Sequence, residues 1–370
     1  MLALFDASKD KVIPEGTRMR TIYDLFVKSL KTLVFEGWAS FATKAKYKLN
    51  FMEKAADGRI YQLSLDKMFH QPTTGDNHGM DLKSSPPDFG LVFRNFGAYK
   101  TFESTTWRLR RYIEQEMSKH ESIKGYCQLC DKVQSFVVNG GATFGNEPNL
   151  REGMLCECGL NNRTRLLLHY IIRVLKSVPA NDQKACFFEY DTPMIGKFSE
   201  ITHLKCFMSK FGINKNDPDF QDMTATSYSN DFFDLVVHSD VLEHVPDHMK
   251  GLQECYRILK KDGYLIFTTP FFGIQLTVVR AVLQDNGNIL HLRPASYHGD
   301  PLNPAGILAY YDFGWSLYED LTKTGFTDVT ICVNYDPFSG FVSNNHPCPN
   351  ISEKDNDYGD MLPLVFVCRK

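Results

Sequence analysis

Residues 233–265 read FDLVVHSDVLEHVPDHMKGLQECYRILKKDGYL. Phe233–His238 is a short apolar run, the pattern of a strand buried on both faces. Between Pro246 and Lys260, the residues Leu252, Cys255, Tyr256 and Leu259 recur at helical spacing, and Asp262-Gly263 supplies a tight turn to end the helix. The apolar run Tyr264–Thr268 follows. Strand, helix, turn and strand make a parallel βαβ unit. Further runs at Ala185–Glu189, Leu204–Met208, Val329–Asn334 and Leu364–Cys368 repeat the strand signal. They predict an α/β domain with a Rossmann-like sheet over residues 166–370.

The chain before this domain reads differently. Residues 16–50 carry seven Lys or Arg against Asp24 and Glu36, with Ile22, Leu25, Phe26, Leu30, Leu33 and Val34 spaced as one apolar helix face. That face packs on the protein body, or the basic helix lies on a partner or a membrane surface. Residues 50–90 are turn-rich, and 100–122 read as helix again. Residues 1–122 are therefore expected to form a mainly helical region. Forty-one Lys plus Arg against forty-four Asp plus Glu in 370 residues argue against a nucleic-acid binder, whose footprint is basic. No run approaches the length of a membrane span. MLALFDASKDKVIPEG lacks the basic start and cleavage site of an export signal, so a cytoplasmic setting is expected.

In that setting thiols stay reduced, and the spacing of the ten cysteines decides their use. Cys127 and Cys130 form CxxC; Cys156 and Cys158 form CxC. Two close pairs on short turns place four sulfurs around a Zn²⁺ ion, with Gly125 and Gly159 easing the turns. Residues 123–165 are thus a zinc-binding segment, expected to have little core of its own. Four protein thiolates leave no open position, so the zinc is structural. Cys186, Cys206, Cys255, Cys332, Cys348 and Cys368 lie in apolar runs and read as packing. After the second pair, Asn161, Asn162, Arg163 and Arg165 open a helix at the end where its dipole disfavours cations. An anionic partner and plain surface charge both account for them.

The stretch FDLV, then DVLEHVPD, then LQECYRILKKDG resembles the class I S-adenosylmethionine-dependent methyltransferases, in that family's order and spacing. CxxC, PNLRE, CxCGLNNRTR, then HLRPASYHGDP and LAYYDFGWSLYEDLTKTGF, resemble a zinc-containing subgroup often linked to glycan or glycosyltransferase systems. The resemblance covers about residues 125–370. It implies a seven-stranded class I sheet, an S-adenosylmethionine cofactor, and methyl transfer to an oxygen or nitrogen of a small-molecule or glycan acceptor.

Ligands of open parallel sheets sit where the strand order reverses. By the resemblance, Glu189, Tyr190, Thr192 and Pro193 replace the family's glycine loop, and Glu189 engages the cofactor's ammonium. Asp222 accepts from the adenine amino group and Met223 covers the ring. Ser239, Asp240 and His244 lie at the sulfonium. The family's ribose-binding carboxylate is missing, with Lys210 at its place. A histidine is the natural base for a hydroxyl acceptor; the insertion after the fifth strand offers His291 and His298. His298 and Asp300, in YHGDP, are the candidate catalytic residues. Asp312 reads as the N-cap of the next helix, with Phe313 and Trp315. A methyltransferase fold serving only as a binding or scaffold module is the alternative.

Overall fold

A computed structural model of the chain describes residues 91–141, 143–144, 147–176, 183–189, 192–202, 204–209, 216–217, 219–299, 305–344 and 361–370. The basic 16–50 stretch and the 50–90 loops fall outside the described residues, as do Tyr190, Lys210 and Asp300. Strand β1 (Leu91–Phe93) and helix α1 (Phe96–Met117) come first, and Asn95 caps the helix by accepting from the Ala98 amide. Strands β2 (Ser122–Cys127) and β3 (Lys132–Val137) form a hairpin, and helix α2 (Asn162–Leu175) follows it.

The main domain then alternates: β4 (Lys184–Phe187), α3 (Pro193–Thr202), β5 (Lys205–Met208), β6 (Phe233–Ser239), α4 (His248–Ile258) and β7 (Leu259–Thr268). An insertion carries the hairpin β8 (Ala281–Leu283) and β9 (Ile289–His291). Helix α5 (Ser316–Thr324), β10 (Asp328–Val333) and β11 (Leu364–Arg369) complete the described chain.

Seven strands form one sheet in the order β1-β10-β11-β7-β6-β4-β5. The pairs β5–β4, β4–β6 and β6–β7 are parallel, whereas β11 runs antiparallel between β7 and β10. All six strands read from the sequence are present, with ends shifted by a few residues. The seventh is β1, antiparallel on the edge at β10; three residues carry no period to read.

Alternate residues of each strand face opposite sides. Phe233 and Val236 of β6 enter a cluster with Leu252 and Cys255 of α4, Leu317 of α5 and Tyr99 of α1. Leu235 and Val237 enter another with Leu167 and Ile171 of α2 and Phe198 of α3. The sheet is therefore covered on both faces, which is why its strands read as continuous apolar runs.

Three local expectations are corrected. Asp312 does not cap a helix: α5 starts at Ser316, and buried Asp312 accepts from Arg280 at 2.6 Å inside a two-strand pairing. The Lys260–Gly263 segment lies within β7, where a register shift against β6 absorbs it, so Asp262-Gly263 is a kink rather than an inter-element turn. The cysteine segment has its own core, with Phe136, Val138, Leu150 and Met154 fully buried beside Val342.

Candidate functional site

In the sheet, β4 and β5 run outward from the centre, while β6 lies on the other side of β4. The strand order reverses between β4 and β6, and the crevice beyond their carboxyl ends is where this architecture holds ligands. Glu189 follows β4, while Ser239 and Asp240 end β6. Asp240 has φ of 53°, a left-handed conformation that costs a non-glycine residue about 1–3 kcal/mol.

The contacts of Asp240 hold that geometry. Its carboxylate accepts from Arg151 at 2.6 and 2.9 Å and from the Thr268 hydroxyl at 2.9 Å. Arg163 lies 3.5 Å from it, donates to the Ser239 hydroxyl, and binds Glu152 at 2.9 and 3.0 Å. Burial would raise the Asp240 carboxyl, but Arg151 and Arg163 outweigh it and hold the group well below the ordinary range. Glu189 goes the other way. Burial pushes it up to about 7, against the pull of Arg163 and of Thr192, whose hydroxyl donates to it at 3.3 Å.

Arg151 and Arg163 come from the segment between and after the cysteine pairs. Asn161 caps α2 by accepting from the Thr164 amide, and Asn162 donates to the carbonyls of Leu150 and Val342. Arg165 is buried, stacks over Phe136 at 4.2 Å and donates to the Ser339 carbonyl at 2.6 Å. The polar start of α2 is thus held within the chain, although Asn162 Oδ1 and Arg165 Nε make no hydrogen bond. Arg151 and Glu152 were the site residues sequence reasoning did not assign, their signal being the PNLRE text itself; Arg163, read as meeting an anionic partner or as surface charge, meets Glu152 and Asp240.

The four sulfurs of Cys127, Cys130, Cys156 and Cys158 lie within 4.8 Å of one another. Cys130 and Cys156 are 3.8 Å apart, the sulfur–sulfur edge of a tetrahedral site with Zn–S bonds of about 2.3 Å. Hydrogen bonds from Cys156 and Cys158, against burial and with the Arg165 charge, pull the Cys127 thiol down strongly, favouring a thiolate. Gly159 sits in the second turn at φ of 81°, as expected. Gly125 does not: it lies within β2, where a Cβ would fall 2.1 Å from the Phe338 carbonyl oxygen. The cluster's donor set fits zinc; the Cys156–Cys158 edge, 3.0 Å here, would have to widen to the tetrahedral length.

Beyond Asp240, the turn Leu242–His244 meets the insertion. His298 lies on a two-residue strand paired with Ile307–Leu308. The Leu308 carbonyl accepts from His244 Nδ1 at 2.9 Å, and Glu243, fully buried, accepts from the Thr269 hydroxyl at 3.0 Å. His298 Nδ1 is 3.5 Å from Glu243. Burial would lower the His298 imidazole, but Glu243 outweighs it and raises it. His291 is exposed on β9 and is not among the side chains that group with Glu243. Met223 is buried in the core, while Asp222 accepts from the amide and hydroxyl of Thr224 in a local turn. Thus the fold gathers Glu189, Thr192, Ser239 and Asp240, and next to them His244 and His298.

Residues 204–267 match the family model of a methyltransferase domain. A search of curated proteins finds no match. Among solved structures, an S-adenosylmethionine-dependent methyltransferase from Archaeoglobus fulgidus is 14% identical, with 56% of this chain and 94% of that one covered and a TM-score of 0.32. A second, from Mesorhizobium loti, is 12% identical over 55% and 95%, at 0.30. The 1,6-didemethyltoxoflavin-N1-methyltransferase of Burkholderia thailandensis, solved with its substrate and S-adenosylhomocysteine, is 14% identical over 56% and 78%, at 0.32.

Proposed function

We propose that this chain, whose sheet is the Rossmann-like one of class I methyltransferases, transfers a methyl group from S-adenosylmethionine to an oxygen or nitrogen of a small-molecule or glycan acceptor. The observation that carries this reading is the partly buried acid pair of Glu189 and Asp240 at the strand-order reversal, with Asp240 inside the methyltransferase-domain match at 204–267. Asp240 is taken up by Arg151 and Arg163, so Glu189 is the carboxylate that would meet a cationic ligand there.

When bound, the cofactor supplies an electrophilic methyl on a sulfonium. Glu189 and Asp240, with Thr192, Ser239 and His244 around them, hold its methionine end, and Tyr190 is assigned to the same role from the sequence. Arg151 or Arg163 takes its carboxylate, and Asp222 with Met223 takes the adenine. His298 and Asp300 serve the acceptor, whose proton leaves on that side. Methyl transfer then needs mainly alignment and proton removal. Zinc held by the four cysteines is structural and fastens the segment that delivers Arg151 and Arg163.

One observation favours a second reading, a binding module without turnover. Arg151 and Arg163 already occupy the Asp240 carboxylate. The arginines close on Asp240 where the cofactor belongs. Calorimetric titration with S-adenosylmethionine and S-adenosylhomocysteine separates the two: binding is expected, and none at millimolar ligand overturns the enzyme reading. With binding established, His298→Ala is expected to abolish turnover and leave cofactor affinity nearly unchanged.

A further inference from the structure

Glu243, His244 and His298 present one carboxylate oxygen and two imidazole nitrogens within 4.8 Å of one another. We propose that they bind a divalent transition-metal ion, separate from the cysteine cluster, with positions left open for an acceptor oxygen. The inference rests on the methyl-transfer reading only for the identity of that oxygen's owner.

Three observations carry it. Glu243 Oε1 is buried and has no hydrogen-bond partner, an arrangement that costs about 1–3 kcal/mol unless something else satisfies it. It stands 3.5 Å from His298 Nδ1 and 3.7 Å from His244 Nε2. Those distances exceed a hydrogen bond, which closes at about 2.7–3.2 Å. They lie a few tenths of an ångström outside the edge of about 3.0–3.4 Å between ligands bonded to one ion at about 2.1 Å.

The surroundings are those of a ligand set. His244 gives its Nδ1 proton to the Leu308 carbonyl, which leaves the Nε2 lone pair facing Glu243. Metal-binding histidines are oriented in this way. The other oxygen of Glu243 is held by Thr269, as a ligating carboxylate usually is. The His298 side chain is 35% exposed, whereas Glu243 is 0% exposed, so the open side of the ion would face outward, where an acceptor can approach. Two imidazoles and a carboxylate suit Zn²⁺, Mn²⁺ or Fe²⁺, and leave coordination positions free. A hydroxyl bound there ionises at lower pH: its O–H bond breaks, the electron pair stays on oxygen, and the proton leaves to solvent. His298 then acts as a ligand rather than as the base.

The test uses the full chain with no cofactor or acceptor, titrated with Mn²⁺ and followed by electron paramagnetic resonance. Mn²⁺ prefers oxygen and nitrogen donors and passes over the cysteines. One ion per chain is expected, with affinity weakened at least tenfold in His298→Ala and in Glu243→Gln. His298 is on the surface, so its variant is expected to fold even where the buried one does not. No uptake of Mn²⁺, or uptake unchanged in His298→Ala, overturns the proposal. Uptake in a protein that fails to bind S-adenosylmethionine leaves the ion site standing and removes the methyl-transfer reading alone.

Discussion

His238 is fully buried on β6, stacked on Phe267 with centroids 4.4 Å apart, and neither ring nitrogen has a hydrogen-bond partner. Burial drives its pKa from 6.5 down to about 3. Between those values the unfolded chain binds a proton that the native state refuses, so this contribution is complete above about pH 6.5 and is lost as pH falls towards 3. The slope approaches about 1.4 kcal/mol per pH unit. His238→Phe keeps the stack and removes the titration. Between pH 6.5 and 5.5, wild type should lose about 1 kcal/mol more than the variant in urea unfolding; parallel losses would refute the account. Asp240 poses the opposite case, because its partners are charged. Asp240→Ala removes one of the two carboxylates that Arg151 and Arg163 share, leaving Glu152, and is expected to cost about 1–3 kcal/mol in the same measurement. A loss below about 0.5 kcal/mol, the level of ordinary surface substitutions, would show that the network is dispensable.

At the scale of elements, the cysteine segment and the crevice are one construction. The hairpin β2–β3 and the turn at Cys156–Cys158 frame the loop bearing Arg151 and Glu152, and α2 begins directly afterwards at Asn162, with Arg163 next. Removing the metal should release that loop and, with it, the arginines. In Cys127→Ser/Cys156→Ser, zinc is expected to fall from about one per chain towards zero. S-adenosylmethionine affinity is expected to fall with it in calorimetry. Unchanged affinity in a zinc-free chain would separate the two sites. The insertion is likewise latched: the Tyr310 amide donates to the Glu243 carbonyl at 2.8 Å, and Arg280 is held by Asp312 and the Pro294 carbonyl. These contacts bring His298 to a turn some fifty residues earlier in the chain.

For the whole molecule, a ligand that binds only the native state stabilises it by mass action. At one hundred times the dissociation constant, S-adenosylhomocysteine should add about 2.7 kcal/mol, raising the midpoint of thermal unfolding by about 5–10 °C. No shift at millimolar ligand would agree with a binding fold that has lost its cofactor. Among the described residues, no helix is long and apolar enough to cross a membrane.

Local pattern sufficed for the strands β4, β5, β6, β7, β10 and β11, for α4, and for the pairing of four cysteines. Burial on both faces and the chemistry of thiolate ligands write themselves into short runs and short spacings. Glu189, Ser239 and Asp240 could be placed at a strand end for the same reason. The edge strand β1 was hidden, because three residues take their conformation from the neighbour they pair with. The partners of Asp240 were hidden too: Arg151 is 89 positions away, and nothing local links a cysteine loop to the end of β6. Glu243 stood in plain text as part of DVLEH. Only the folded insertion, which sets His298 opposite it, turns that glutamate from a helix-turn acid into a ligand. The chain's local chemistry determined the layers and the cysteine cluster, and long-range contacts alone decided which charges meet in the crevice.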